Sequence, residues 1–353
     1  MTKRQIAYLV CTAAVVASGV GAAAPSACSR TVHRVNPGES IQKAVNTAKP
    51  GDVIFVSPGT YHESVSITVS GLTLRGASTR STVIVPDKAS ADSACAKAGN
   101  GICVTGTKSK PVTDVTVRSL TLRGFKKTGL WATGTDRLRV ERVTSEKNGQ
   151  WGIAQERSVR GVFRHDTVEA NGDAGLFLGN TVATEEGALD SKAVIIHNRL
   201  LGNRIGLTVR RLRNVVVDGN EATGNCTAMF LVGDENKPRP GALRVTDNFV
   251  HANNKFCAAT ARLPFLQGSG IILTGVEDSL VAGNRVEDNV GKAPMSGGIV
   301  LAKNFQGALN QRNDIRDNLV LGNGTADLAS QDKGKGNTFL DNECAASRPA
   351  GMC

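Results

Sequence analysis

Short runs of alternating apolar residues recur along the chain from about residue 112, each closed by asparagine or glycine. The segments AVIIHNRLLGNRIGLTV (193–209), VVVDGNEATGNCTAMFL (215–231), LVAGNRVEDN (280–289) with GGIVL (297–301), and DIRDNLVLGN (314–323) share one skeleton. An apolar residue stands three before a first Asn and another stands two after it. A second Asn, a turn, and Gly-apolar-x-apolar follow. The first Asn column is Asn198, Asn220, Asn248, Asn284, Asn318 and Asn342; the second is Asn148, Asn171, Asn203, Asn225, Asn253, Asn289 and Asn323. Alternation over so few residues predicts short strands with one buried face. Uninterrupted spacing, from Gly129 to Gly152 to Gly175 or from Asn198 to Asn220, is 22 or 23 residues. That length holds three short strands and three turns, one coil of a parallel β-helix. A single coil cannot bury its own inner face, so the stacking of about ten coils supplies the core. The turn asparagines are expected to stack as ladders that satisfy turn backbone groups. A doubly wound α/β fold is excluded, because no helical patterns of 10–15 residues separate the strands.

The two ends break the repeat. Residues 39–47 (ESIQKAVNT) form the one good helix candidate, with Ile41, Ala44, Val45 and Ala48 on a common face. An open solenoid end exposes strand edges and core, so an N-terminal cap over about 32–60 is expected, and a C-terminal cap over about 334–353. Residues 86–111 read as a loop. The first 27 residues read as an export signal: Lys3 and Arg4, an apolar run from Ile6 to Val20, then small residues. One domain then fills 28–353. Seven cysteines follow the signal, and the last six fall into three local couples: Cys95–Cys103, Cys226–Cys257 and Cys344–Cys353. Cys226 and Cys257 follow second-column asparagines of stacked coils, which brings them within bridging distance. Cys28 is left over after Pro25-Ser26-Ala27, an ending that resembles a bacterial lipoprotein signal. Two readings stay open: a lipid-anchored surface protein, or ordinary secretion. Of the 24 asparagines, 21 lie after residue 100, and the formal charge of +11 favours polyanionic partners. Nothing points to nucleic acid, and a monomer is expected.

The stretch VNPGESIQKAVNTAKPGDVIFVSPGTYHESVSIT, followed by GLTLRGAS, resembles the opening of the pectin-lyase-like superfamily, closest to its secreted, NosD-like repeat proteins. The resemblance covers roughly residues 32–342. It implies a right-handed parallel β-helix, in keeping with the hand of parallel crossovers. Its members include polysaccharide lyases, glycoside hydrolases, epimerases, esterases and non-catalytic proteins, so the fold alone assigns no activity. The polygalacturonase set (Asn-Thr-Asp, Asp-Asp, Gly-His-Gly, Arg-Ile-Lys) and the Asp-Pro-His of alginate epimerases are absent. No catalytic residue carries over.

In this superfamily the groove runs along the strand after the turn glycine. Its outward residues are Trp131 and Thr133, Ala154 and Glu156, Phe177 and Gly179, Thr208 and Arg210, Phe230 and Val232, Ile272 and Thr274, Val300 and Ala302. Glu156 and Arg210 are expected in one column two coils apart, about 10 Å, with Gly179 as a gap between them. Arg157, Asn180 and Arg211 form the next column. This cluster suits an anionic sugar, with Arg210 and Arg211 on its carboxylate and Glu156 as acid or base. Trp131 and Trp151 are candidates for stacking on a sugar. Insertions at 184–192, 233–241 and 255–269 are expected to wall the cleft, the second bringing Asp234 to it. Asp234, Glu235, Glu277 and Asp278 are the acids a calcium ion would want; no cofactor is otherwise implied. His165 and His197, with Asp166 beside them, read as a stacked surface ladder. Two functions remain: a secreted protein that binds an anionic polysaccharide, with or without cleaving or modifying it, or a non-catalytic surface, adhesive or structural β-helix.

Overall fold

A computed structural model describes residues 30–87, 93–181 and 186–353. Residues 1–29, with the segment expected to be an export signal and Cys28, lie outside the described residues. Three long sheets run the length of the molecule, one of 12 strands and two of 11, and every strand pair within them is parallel. Successive strands of the chain visit the three sheets in turn, so each circuit is one coil. The first sheet runs from Val32–Val35 to Thr338–Leu340, the second from Gly59–His62 to Glu343–Cys344, and the third from Val65–Ile67 to Ser347–Arg348. Eleven strands in the second and third sheets make about one coil more than the spacing suggests. The stretch 86–111 is not all loop: it holds a helical turn, Ala94–Lys97, and a strand of the third sheet, Ile102–Thr105, whose Ile102 and Val104 are fully buried.

The inward residues of all three sheets build one core. Ile195, Leu200 and Leu207 of one coil lie over Val217, Ala222 and Met229 of the next, all of them buried. The helix Ile41–Thr47 closes the N-terminal end, burying Ile41 and Val45 with Ala44 and Ala48 packed against the core. Glu63 fixes that helix. Its carboxylate accepts from the backbone N–H of Ile41 at 2.7 Å and of Gln42 at 3.1 Å, donors that a helix start leaves unsatisfied. The region 334–353 adds a last, largely exposed coil, with Cys344 and Cys353 bridged. The other two disulfides, Cys95–Cys103 and Cys226–Cys257, are also formed.

The asparagine ladders are continuous. In the second column Asn203 Nδ2 donates to Asn225 Oδ1 at 3.2 Å, and Asn225 to Asn253 at 2.8 Å. From Asn171 onward each amide also donates to a main-chain carbonyl of the coil before, as Asn225 does to Leu200 at 2.8 Å, whereas Asn148 donates to the Ser145 hydroxyl. The residue before each ladder Asn has left-handed backbone: His165, His197, Asp247 and Asp317 in one column, Ala170 and Ala252 in the other, with glycine at 202, 219 and 224. The imidazoles of His165 and His197 stack there with centroids 5.5 Å apart, as a surface ladder. Asp166 stands one coil before Asn198 and occupies the first ladder itself. Its N–H donates to Asn198 Oδ1 at 2.9 Å, and its Oδ1 accepts from Val143 N–H at 2.8 Å.

The recurrent turn glycines have a packing reason. A Cβ on Gly270 would lie 2.3 Å from the Gly298 carbonyl oxygen, and one on Gly175 would lie 2.8 Å from both Asn203 Nδ2 and the Gly206 carbonyl. Only glycine lets adjacent coils approach beside the ladder. Gly270→Ala should therefore destabilise the fold by about 1–3 kcal/mol through overpacking against a rigid backbone. Urea denaturation reads this directly; an unchanged midpoint would show that the coils have slack at that turn.

Candidate functional site

The outward face of the third sheet carries the residues that the alternation assigns to it. Register pairs Glu156 with Gly179 and Gly179 with Arg210, so Glu156 and Arg210 share a column two coils apart. The surroundings differ from the open groove expected. Ala154, Phe177, Phe230, Ile272 and Val300 form a second apolar core with Leu266 and Met295, and none is more than 7% exposed. The physical reason is the insertion over 255–269. It lies down on the apolar stripe instead of standing beside it. Cys257 and Leu266 exchange backbone hydrogen bonds at 2.9 Å, Leu266 is buried, and Cys226–Cys257 holds the loop to the coil beneath.

Gly179 does not leave a gap. A Cβ there would meet the Phe177 ring at 2.8 Å, so the ring occupies that space. Trp131, Trp151 and Phe177 stack on one another with centroids 5.8 and 4.3 Å apart and interplanar angles of 12° and 13°. Their faces are turned to each other along the solenoid. Trp151 is covered on both faces, and Trp131, at the end of the stack, has one face covered by Trp151.

The polar cluster separates into three parts. Glu156 is 5% exposed, and its carboxylate accepts from the Thr181 hydroxyl. It makes no ion pair with Arg210, and its burial removes it from a reactant's reach. Arg211 forms a buried ion pair with Asp234, the two side chains 14% and 9% exposed. The insertion over 233–241 delivers Asp234 to that contact, so neither Arg211 nor Asp234 faces a ligand. Arg210 is half-buried and has no hydrogen-bond or ion-pair partner among the described residues. Burial holds its guanidinium below the ordinary value; Arg211 and Arg262 add repulsion, partly offset by Asp234 and Glu156.

Arg157 and Asn180 line a real cleft, of about 360 Å³, at the strand ends of the third sheet. Its floor is the end of Leu130–Thr133 with Gly134, then Arg157 and Asn180 after the next two strands. One wall is Gly106, Thr107 and Lys108; the other is Glu186 and Leu189 from the insertion over 184–192, of which residues 184 and 185 lie outside the described residues. That second wall is braced from behind, where Ala188 N–H donates to Pro238 O at 2.7 Å and Leu189 pairs with Leu212. Asn180 is buried and turns its amide to Gly187 O. Arg157 and Lys108 are exposed and carry no ion pair among the described residues. Lys108 escaped the sequence reading because it lies in the stretch read as loop.

Three of the four acids that suggested calcium are occupied, Asp234 by Arg211, and Glu235 is exposed. Glu277 is held by Arg213 at 3.0 Å and Arg312 at 2.9 Å, and Asp278 by Arg312 at 2.7 Å. The Arg312 hydrogen bond keeps the Asp278 carboxyl below the usual carboxylate range. Among the described residues, no group of three His, Cys, Asp or Glu converges on a position that could hold a metal ion.

Solved structures share this architecture. The A-module of mannuronan C-5 epimerase AlgE4 from Azotobacter vinelandii superposes with a TM-score of 0.58 at 17% identity, covering 87% of this chain and 91% of that one. DFA-IIIase from Arthrobacter chlorophenolicus A6 in complex with DFA-III gives 0.62 at 14%, covering 89% and 83%. The Dettilon tailspike protein gives 0.59 at 12%, covering 89% and 68%. At such identities the likeness is one of fold. No curated protein matches the sequence. The family described as "Right handed beta helix region" matches residues 60–261 and 190–352. With its three parallel sheets, asparagine ladders and capped N-terminal end, the chain belongs to the right-handed β-helix family.

Proposed function

We propose that this chain is an exported protein that binds an anionic extracellular polysaccharide in the cleft between residues 106–108 and 186–189. One observation carries the reading: two cations that form no ion pair among the described residues, Arg157 and Lys108, line the same 360 Å³ space. That volume lies within the range of small-ligand pockets, about 300–1,000 Å³. Guanidinium groups suit carboxylates and sulfate esters because their planar fork binds two oxygens at once. Asn180, Thr107 and Thr133 add neutral polar groups for sugar hydroxyls. Neighbouring structures that act on carbohydrates support the class of partner.

Binding without hydrolysis is the better-supported form of this reading. Glycoside hydrolysis uses two carboxyls about 5–9.5 Å apart. Among the described residues the cleft offers one, Glu186, while Glu156 is shut off under Thr181. Export fits the basic, apolar and small-residue sequence of residues 1–27, and three disulfides suit an oxidising compartment. Affinity electrophoresis through gels containing polygalacturonate, alginate or dextran tests the partner class. The acidic polymers should retard the protein and dextran should not, with retardation fading as salt rises. Equal retardation by dextran would overturn the electrostatic basis.

A further inference from the structure

The outward face of the first sheet carries an arginine column at its N-terminal end. Register aligns Arg34 with Phe55, Phe55 with Arg75, and Arg75 with Arg118, on the strands Val32–Val35, Val53–Val56, Thr73–Gly76 and Thr116–Arg118. Neighbouring strands lie about 4.8 Å apart, so the three arginines span about 14 Å along the solenoid axis. Arg34 and Arg75 are exposed and Arg118 is half-buried. None of the three has an ion-pair partner among the described residues; Arg34 donates to the Ser57 hydroxyl at 3.5 Å. Phe55 steadies two of them. The guanidinium carbon of Arg34 lies 4.8 Å from its ring centroid and that of Arg75 lies 5.7 Å from it. A guanidinium held over a ring face keeps its donors for other partners, because its N–H groups lie in its own plane.

This column departs from a pattern that the chain keeps elsewhere. Like charges directly opposite one another on neighbouring strands destabilise a sheet. On the next strand of the same column stands Glu141, which pairs with Arg164 of the strand after it at 2.8 Å. On the second sheet Arg199 pairs with Glu221 at 3.0 Å. Arg75 and Arg118, in contrast, are direct neighbours of like charge. Protection of an open sheet edge explains a charge at Arg34 alone, since Thr73–Gly76 and Thr116–Arg118 are interior strands. A polyanion laid along the column would supply the missing counter-charge. Thr73 and Thr116 stand in the adjacent outward column, two residues before Arg75 and Arg118, and offer hydroxyls to a sugar; Thr73 also accepts from Arg30 at 3.3 Å.

We propose that Arg34, Arg75 and Arg118 form a second binding track, on the first sheet, for a linear acidic polysaccharide lying along the solenoid axis. The rise per sugar in an extended 1,4-linked uronan is close to the strand spacing, so its carboxylates stay in step with the column. Duplex nucleic acid, with one phosphate of each strand per about 3.4 Å of axis, falls out of step. The turn between this face and the cleft holds Asp114 and Asp136, both bound by Arg137, which separates the two cationic surfaces. The choice of a polysaccharide rests on the reading above; the unpaired column does not.

The test starts from the full chain with both cleft cations replaced, Arg157→Ala with Lys108→Ala. Calorimetry follows its titration with hexagalacturonate, digalacturonate and a six-phosphate oligothymidylate. The hexamer should still bind, and the dimer, too short to span the column, should bind about tenfold more weakly. Adding Arg34→Gln, Arg75→Gln and Arg118→Gln should weaken the hexamer about tenfold or more. The urea midpoint should not fall, since like charges are removed. Arg75→Gln alone, at an exposed position, should weaken the hexamer about threefold and decides the matter if the triple replacement does not fold. Unchanged hexamer affinity in the folded column variants overturns the track, and so does a dimer that binds as tightly as the hexamer. Loss of all hexamer binding with the cleft replacements alone overturns the track and leaves the cleft reading standing. Undiminished binding after the cleft replacements, with loss only in the column variants, ends the cleft reading and supports the track. Oligothymidylate matching the hexamer overturns the polysaccharide assignment.

Discussion

Asn225→Ala should destabilise the protein by about 2–6 kcal/mol, a large effect for a single substitution. Asn225 is fully buried. Its Oδ1 accepts from Asn203 N–H at 2.8 Å, and its Nδ2 donates to Leu200 O and to Asn253 Oδ1, both at 2.8 Å. Truncation takes the acceptor from Asn203 N–H and a donor from Leu200 O where water does not reach, while Asn253 Oδ1 keeps the residue 225 N–H at 3.1 Å. Each such group costs about 1–3 kcal/mol. Because each coil contacts only its neighbours, the damage falls in mid-solenoid where both adjoining coils depend on it. Asn46→Ala is the control: that side chain is exposed and bonds only to Gln42, so its effect should stay within about 0.5 kcal/mol. Urea midpoints of the two variants measure the difference. If Asn225→Ala unfolds with the wild type, the ladders are ornaments of the turns and not their support.

Asp166→Asn should stabilise the protein, and the gain should depend on pH. Asp166 is fully buried in a ladder that elsewhere uses asparagine, and its Oδ2 has no partner. Burial pushes its carboxyl well above the usual value and Glu141 adds to the rise, against the hydrogen bond from Val143. The native state therefore holds a proton that the unfolded chain has released. The stabilising contribution is complete below the ordinary carboxylate value of about 3.9 and is lost as pH climbs through the raised folded value. Asparagine supplies a donor at every pH, as Asn198 Nδ2 does to Phe163 O at 3.0 Å. Thermal melts across pH should show the two proteins close in acid and separated by about 1–3 kcal/mol once the native carboxyl ionises. A constant gap would mean that Asp166 does not titrate between the two states.

The fold is legible in the sequence because repetition multiplies a weak signal. One apolar-x-x-Asn segment says little, whereas six in register define the strands, the turns and the cysteine pairing across them. Asp166 was legible in principle, since Val162-Phe163-Arg164-His165-Asp166 aligns with Val194-Ile195-Ile196-His197-Asn198. It was read as a neighbour of the histidines because only Asn was sought. The site was legible in its columns but not in its surroundings. Register placed Glu156, Gly179 and Arg210 together and put Arg157 beside Asn180. It could not show that Thr181 closes over Glu156, that Asp234 reaches back to Arg211, or that the Phe177 ring fills the space at Gly179. The first two contacts depend on the paths of segments between strands, which obey no repeat, and the third on how one ring turns within its own strand. Arg262 stands 52 residues beyond Arg210, and its charge acts on Arg210 from a loop that obeys no repeat either.

The central claim is that exposed, unpaired cations in the strand-end cleft bind an acidic polysaccharide. Titration calorimetry with a uronate oligosaccharide, at low and at high salt, tests it most directly. Wild-type protein should bind, with affinity falling as salt rises. Replacing both Arg157 and Lys108 by Ala should weaken binding by about 1.5–3 kcal/mol for each charged hydrogen bond lost and flatten the salt dependence. Folding should be unaffected, since both side chains are exposed. Wild-type affinity and an unchanged salt slope in the double variant would contradict the account.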